Sequence, residues 1–167
     1  MRSTHRPFTR LVVAAATVFT ISGVMSAVSA DTPTTERVSI DSGSGGGRET
    51  PAVSSDASRV VFVARSEENW GVWLRDRDAG ETYRLTVGNH MNPAISGDGN
   101  TVAYAEYGEP RGVFLVDATD PSSPGTPVRV DVSSDETPSD GLSDFPALDG
   151  DGDLVVFHST ATNLDST

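Results

Sequence analysis

Cysteine and lysine are both missing from the 167 residues, and aromatic side chains make up only 7% of them. Without cysteine there is no disulfide framework, no thiolate metal site and no lipid-modified cysteine, so the chain has no covalent staple. All 12 cations are arginines. The glycine-rich stretch at Gly43–Gly47 is followed by neither a helix start nor a lysine, which excludes a phosphate-cradling loop. There is no Gly-x-Ser-x-Gly nucleophile elbow and no twin-arginine pair. No apolar run reaches the ~20 residues needed to span a bilayer.

What is present begins with a three-part leader. Arg2, Arg6 and Arg10 precede an apolar run from Leu11 to Val24, and small residues follow from Ser26 to Ala30. This is the layout of a Sec-type secretory signal over residues 1–30, with cleavage expected between Ala30 and Asp31. The expected location is outside the cell or in the periplasm or cell envelope, with no membrane contact once the signal is removed. Removal takes away three arginines and no acid, leaving nine cations against 24 acids, a formal charge of −15. A surface of that sign repels nucleic acid and anionic lipid.

One stretch occurs three times. Pro51-Ala52-Val53-Ser54-Ser55-Asp56 leads to Val60-Val61-Phe62, Pro93-Ala94-Ile95-Ser96-Gly97-Asp98 leads to Val102-Ala103-Tyr104, and Pro146-Ala147-Leu148-Asp149-Gly150-Asp151 leads to Val155-Val156-Phe157. The Asp, the β-branched residue and the aromatic ring recur at fixed offsets without gaps. A second segment recurs downstream, as Gly71-Val72-Trp73-Leu74-Arg75-Asp76 and Gly112-Val113-Phe114-Leu115-Val116-Asp117. A third recurs as Thr82–Thr86 and Thr126–Asp131, with an earlier isolated copy at Thr35–Ile40. Four short strands per unit at a spacing of 42 and then 53 residues predict propeller blades, each of which needs neighbours to cover both sheet faces.

These motifs resemble the blade repeat of TolB-type β-propellers and their secreted actinobacterial relatives. The resemblance implies an all-β, partial β-propeller of four-stranded antiparallel blades: two full blades (51–86 and 93–132), one half blade (146–167) and one orphan strand. Residues 31–50 form the lead-in strand and Gly-rich linker. Family members close a ring of about six blades, so the chain is expected to be C-terminally truncated relative to them, with open blade edges that invite self-association.

The resemblance implies a binding or scaffold role, with a protein or glycan ligand at the ring mouth. Two other roles follow from such blades: the propeller portion of a larger secreted hydrolase of prolyl-oligopeptidase type, and a calcium-binding module. Asp149-Gly150-Asp151-Gly152-Asp153 offers alternating carboxylates, but Leu154 and Thr160 stand where a calcium loop of EF-hand type needs Gly and an acid. The expected work of that loop is a turn, and neither metal nor cofactor is expected. His90 and His158 are the histidines beyond the leader. His158 and Ser159 are adjacent on a strand and point to opposite faces, so no catalytic residues are expected. Trp73, Tyr104 and Phe114 are expected in the core, Trp70 and Tyr107 in loops where they could meet a ligand, and the acidic 135–144 stretch as a solvated connection.

Overall fold

The computed structural model describes residues 50–66 and 69–164. The signal with Ala30 and Asp31, the strand at Thr35–Ile40 and the Gly-rich linker lie outside the described residues. Within them the fold is all-β: β1 (Ala52–Val53), β2 (Arg59–Ser66), β3 (Asn69–Asp76), β4 (Glu81–Arg84), β5 (His90–Ile95), β6 (Thr101–Glu106), β7 (Gly112–Asp117), β8 (Val128–Arg129), β9 (Ser143–Leu148) and β10 (Val155–Ser159). They form two four-stranded sheets, β1-β2-β3-β4 and β5-β6-β7-β8, and the two-stranded sheet β9-β10, all antiparallel. These are two blades and a half blade of a partial propeller.

The repeat is visible in the register. Ala52 pairs with Val61, Ala94 with Ala103 and Ala147 with Val156, three pairs at one repeat position. The turn between the first two strands of each blade is built from side chains that bond to nearby backbone, as Ser and Asp do. Ser54 Oγ donates to Asp56 Oδ1 at 2.7 Å, and Ser96 Oγ to Asp98 Oδ1 at 2.6 Å. The same Ser Oγ atoms accept from Arg59 N and Thr101 N. In the third copy Asp149 replaces the serine, and its Oδ1 accepts from Leu154 N at 3.0 Å, so the turn survives the exchange.

Successive turns also bond to one another, Ser55 N to Gly97 O at 2.8 Å and Asp98 N to Gly150 O at 2.8 Å. Gly97 allows this approach, since a Cβ there would lie 2.7 Å from Ser55 Oγ and 3.0 Å from the Gly150 backbone.

Pro51 precedes β1, whereas Pro93 and Pro146 lie inside β5 and β9. Each lies in a bulge where Tyr104 or Phe157 opposes two residues, Asn92-Pro93 or Phe145-Pro146. A bulge leaves residues outside the ladder, which removes the need for a donor from proline. The second blade therefore starts at His90 and the third at Ser143, each three residues before its proline. The fourth strands are shorter than expected, at Glu81–Arg84 and Val128–Arg129.

Adjacent residues on β2 are buried on both faces, as the continuous apolar run Val61-Phe62-Val63-Ala64 predicts. Val61, Val63, Val72 and Leu74 of the first blade pack against Ile95, Val102, Tyr104 and Val116 of the second. Arg59 reinforces the joint by donating from Nη1 to Gly99 O and Ala118 O, at 3.0 and 2.9 Å. Tyr104 is fully in the core, and Phe114 packs against it with its ring stacked 5.9 Å away. Trp73 departs from the expectation. It is half-buried on the other face of the first blade, with Nε1 donating to Ala64 O and the Arg84 guanidinium 5.6 Å from its ring.

Candidate functional site

In both four-stranded blades, the connections between second and third strands and between consecutive blades emerge at one end of the sheets. A second set of polar side chains gathers at that end, opposite the Ser–Asp turns. Their centre is Asp144, on β9 one residue before the bulge. Its Oδ1 accepts from Asn92 Nδ2 and from Phe145 N, each at 2.7 Å, and its Oδ2 accepts from the Tyr107 hydroxyl. Asn92 in turn accepts from Thr50 Oγ1 at 3.4 Å. Thr50, Asn92 and Phe145 are the residues before the three repeat prolines; Thr50 bonds to Asn92 at that shared position, and Asn92 bonds onward to Asp144, one residue earlier in the third copy.

The bulge holds Asn92 and Phe145 at φ of 50° and 52°. Asparagine tolerates this left-handed region, whereas a bulky phenylalanine is strained there. The result is a phenylalanine ring 65% exposed beside the Asp144 hub. Hydrogen bonding to Asp144, then burial, raises the pKa of the Tyr107 phenol, which therefore stays a donor.

Tyr107, Arg111, Leu142, Phe145 and His158 surround a cleft of 140 Å³ along the seam between the second and third blades. Arg111 and Leu142 also line the adjoining hollow of 350 Å³, whose floor includes Arg129 and Ser139. Among the described residues Arg111 has Glu109 as its ion-pair partner, 3.9 Å away, and both side chains are exposed. The guanidinium is thus held by a long, solvent-exposed ion pair.

Behind the cleft lies a histidine–carboxylate pair. His90 is buried against the Tyr104 ring, with centroids 4.4 Å apart, and its Nδ1 is 2.7 Å from Glu106 Oε2. Burial lowers the His90 pKa, and the Glu106 charge opposes this without overcoming it. A cavity of 320 Å³ runs from His90 and Met91 to Trp70 and Val63.

The 135–144 stretch is largely the solvated connection that its charge predicts, with Asp135 to Pro138, Asp140 and Leu142 exposed and its last two residues opening β9. It folds back through a bridge between Val132 and Pro138, and Ser139 Oγ donates to Asp131 Oδ2 at 2.6 Å. Asp131 is fully buried and also accepts from Val113 N at 3.1 Å and Arg129 Nε at 2.8 Å. Burial opposes its charge, but the bonds from Arg129 and the serines prevail and hold its carboxyl below the usual range. Further along, Asp140 accepts from Thr162 N and Oγ1, each at 2.6 Å. Within the stretch these bonds draw Ser139 partly out of solvent, while Asp140 stays exposed.

The sequence singled out Tyr107 and Trp70, and they meet different ends. Tyr107 lines the seam cleft, while Trp70 is on β3 and not in a loop, half-buried against the shared core. His158 lines the cleft, but Ser159 turns away and bonds to Ser143 Oγ and Leu142 O. Among the described residues no three His, Asp or Glu side chains gather as a metal site. Asp144, Arg111, Phe145 and Asp131 were not singled out. For Phe145 and Asn92 the available signal was their shared place before a repeat proline, and for Asp131 it was alignment with Thr86, whose Oγ1 accepts from Val72 N in the first blade as Asp131 accepts from Val113 N.

No family model matches the chain, and no curated protein matches it. Among solved structures, the crystal structure of TolB from Acinetobacter baumannii is similar at 17% identity, covering 67% of this chain with a TM-score of 0.49. The match spans 26% of that structure's chain.

Proposed function

We infer that the chain is an exported, non-enzymatic propeller segment that binds a stretch of another protein in the seam cleft between the second and third blades. The observation that carries this is Phe145, a bulky ring held at positive φ and exposed beside Arg111 and Leu142. Strained backbone that presents an apolar side chain is a mark of a binding site. An apolar wall with one guanidinium fits a peptide that places an aliphatic or aromatic side chain next to a carboxylate. A glycan would ask for a broader aromatic platform than Phe145 and Tyr107 provide, the latter tied to Asp144 through its hydroxyl. The signal layout at residues 1–30 supports export, and the separation of Ser159 from His158 supports the absence of catalysis.

Selection of a random peptide library on the immobilised chain tests the reading. Enriched peptides should pair an acid with a large apolar residue, and Arg111→Ala or Phe145→Ala should each weaken them at least about tenfold. Enrichment indifferent to both substitutions would reject the cleft as the site.

A further inference from the structure

Only part of the Arg129 guanidinium is occupied by the Asp131 cage. Its Nε donates to Asp131 Oδ1 at 2.8 Å, and its Nη2 reaches Asp131 Oδ2 and Ser139 Oγ, each at 3.3 Å. Asp131 is fully buried and the Arg129 side chain is 19% exposed, so the plane of the guanidinium is fixed. Nη1 has no hydrogen-bond partner among the described residues. Arginine carries its N–H donors in a rigid fork, and an unused arm of that fork on a fixed plane suits a planar oxyanion.

Arg111 lines the same hollow of 350 Å³ as Arg129. The two cations are brought together by the backbone: a Cβ on Gly112, the residue after Arg111, would lie 2.9 Å from Arg129 Nε and 3.0 Å from its Cζ. Glycine there lets the Arg129 head lie against the chain. The Arg111–Glu109 pair spans 3.9 Å with both side chains exposed, and a pair of that kind contributes little. Asp140 also lines the hollow, but its two oxygens accept from Thr162 N and Oγ1, each at 2.6 Å. One fixed and one movable guanidinium therefore share a hollow in a chain whose 24 acids outnumber its 12 cations.

We propose that this hollow captures the free α-carboxylate at the C-terminus of a peptide, clamped between Arg111 and Nη1 of Arg129. The inference rests on the reading of the seam cleft as a peptide site, because Arg111 and Leu142 line both spaces. A terminal residue carries its apolar side chain and its carboxylate on one Cα, so it fills the cleft and the hollow together. An acid next in sequence to the apolar residue would point to the opposite face of an extended peptide. The chain end also supplies selectivity, since internal segments have an uncharged carbonyl at that place.

The test measures, by fluorescence anisotropy, binding of the full chain to N-terminally labelled peptides: Gly-Ser-Ala-Ala-Phe with a free carboxylate, the same peptide as its C-terminal amide, and Gly-Ser-Ala-Phe-Asp as an amide. The free acid should bind at least about tenfold more tightly than either amide. Arg111→Ala should erase the difference between acid and amide while leaving the melting temperature within about 2 °C, because its side chain is exposed. On the native chain, the Arg129 side-chain nitrogen resonance should shift with the free acid and stay in place with the amide, a readout that needs no variant. Equal binding of acid and amide, both lost in Phe145→Ala, would overturn the clamp and leave the cleft reading standing. Acid-selective binding that survives Phe145→Ala would keep the clamp and reject the cleft. The Phe-Asp amide binding as tightly as the free acid would overturn the proposal in favour of a side-chain carboxylate, and no binding of the free acid would overturn it outright.

Discussion

Asn92 Nδ2 donates to Asp144 Oδ1 across 2.7 Å, joining the inner strands of the second and third blades through residues 52 apart in sequence. The bond is part-buried and lies beside the Tyr107 contact to the same carboxylate. It stabilises the seam and also shapes the cleft, because Asp144 fixes both the Tyr107 ring and the start of the bulge that turns Phe145 outward.

Asp144→Ala is therefore expected to cost about 1–3 kcal/mol, since it leaves several donors without an acceptor. Asn92→Ala should cost less. A double-mutant cycle by urea denaturation should give a coupling of about 0.5 kcal/mol or more between the two, and additivity would show that the contact is not formed in solution.

Asp131 is the second stability test. Asp131→Ala strands the Val113 amide and the Arg129 guanidinium in a buried setting, and a loss of roughly 3–5 kcal/mol is expected. Its carboxyl is held below its unfolded value, so its contribution is complete above about pH 4 and is lost as pH falls through the folded value. The Asp56 carboxyl, lowered to about 2 by bonds from Ser58 and Ser54, titrates in the same direction. Urea midpoints should thus drop below pH 4, and the drop should shrink in Asp131→Asn.

His90 acts at higher pH. Burial lowers its folded pKa below the unfolded value near 6.5, so between the two the unfolded chain binds the additional proton. Its contribution is present above about pH 6.5 and is lost as pH falls toward the folded value. Melting curves from pH 7.5 to 5 should slope downward in the native chain, and the slope should flatten in His90→Phe. An unchanged slope would place the titration elsewhere.

Val61 and Val156 occupy one repeat position at 0% and 57% exposure. Val61→Ala should cost roughly 1–3 kcal/mol through lost burial and a cavity. Val156→Ala should fall within about 0.5 kcal/mol, as for an ordinary surface site. Equal losses in thermal denaturation would mean that Val156 is covered in solution.

Strand order, the Ser–Asp turns and the two-sided burial of Val61 to Ala64 were legible because each depends on residues near one another in sequence, and the repeat wrote them more than once. Trp70 shows where that logic ended. Polar neighbours made it look like a loop residue, yet β3 extends past it because backbone pairing with β2 continues to Ser66 and Asn69. The acidic stretch is solvated as its charge predicts, but charge alone does not reveal that Ser139 within it is drawn in by Asp131.

By itself the sequence determined what each blade is: a repeated alternation of turn, β-branched and aromatic residues that directs hydrogen bonding over a few positions. Only the tertiary structure decided which copy of a given position is dry, wet or strained. Asp131 is caged because Arg129 and Ser139 converge on it, Phe145 is exposed because the bulge beside Asp144 turns it outward, and Val156 meets solvent where Val61 meets a neighbouring sheet. Burial belongs to what packs against a residue, and identical local patterns acquire different neighbours as the blades follow one another.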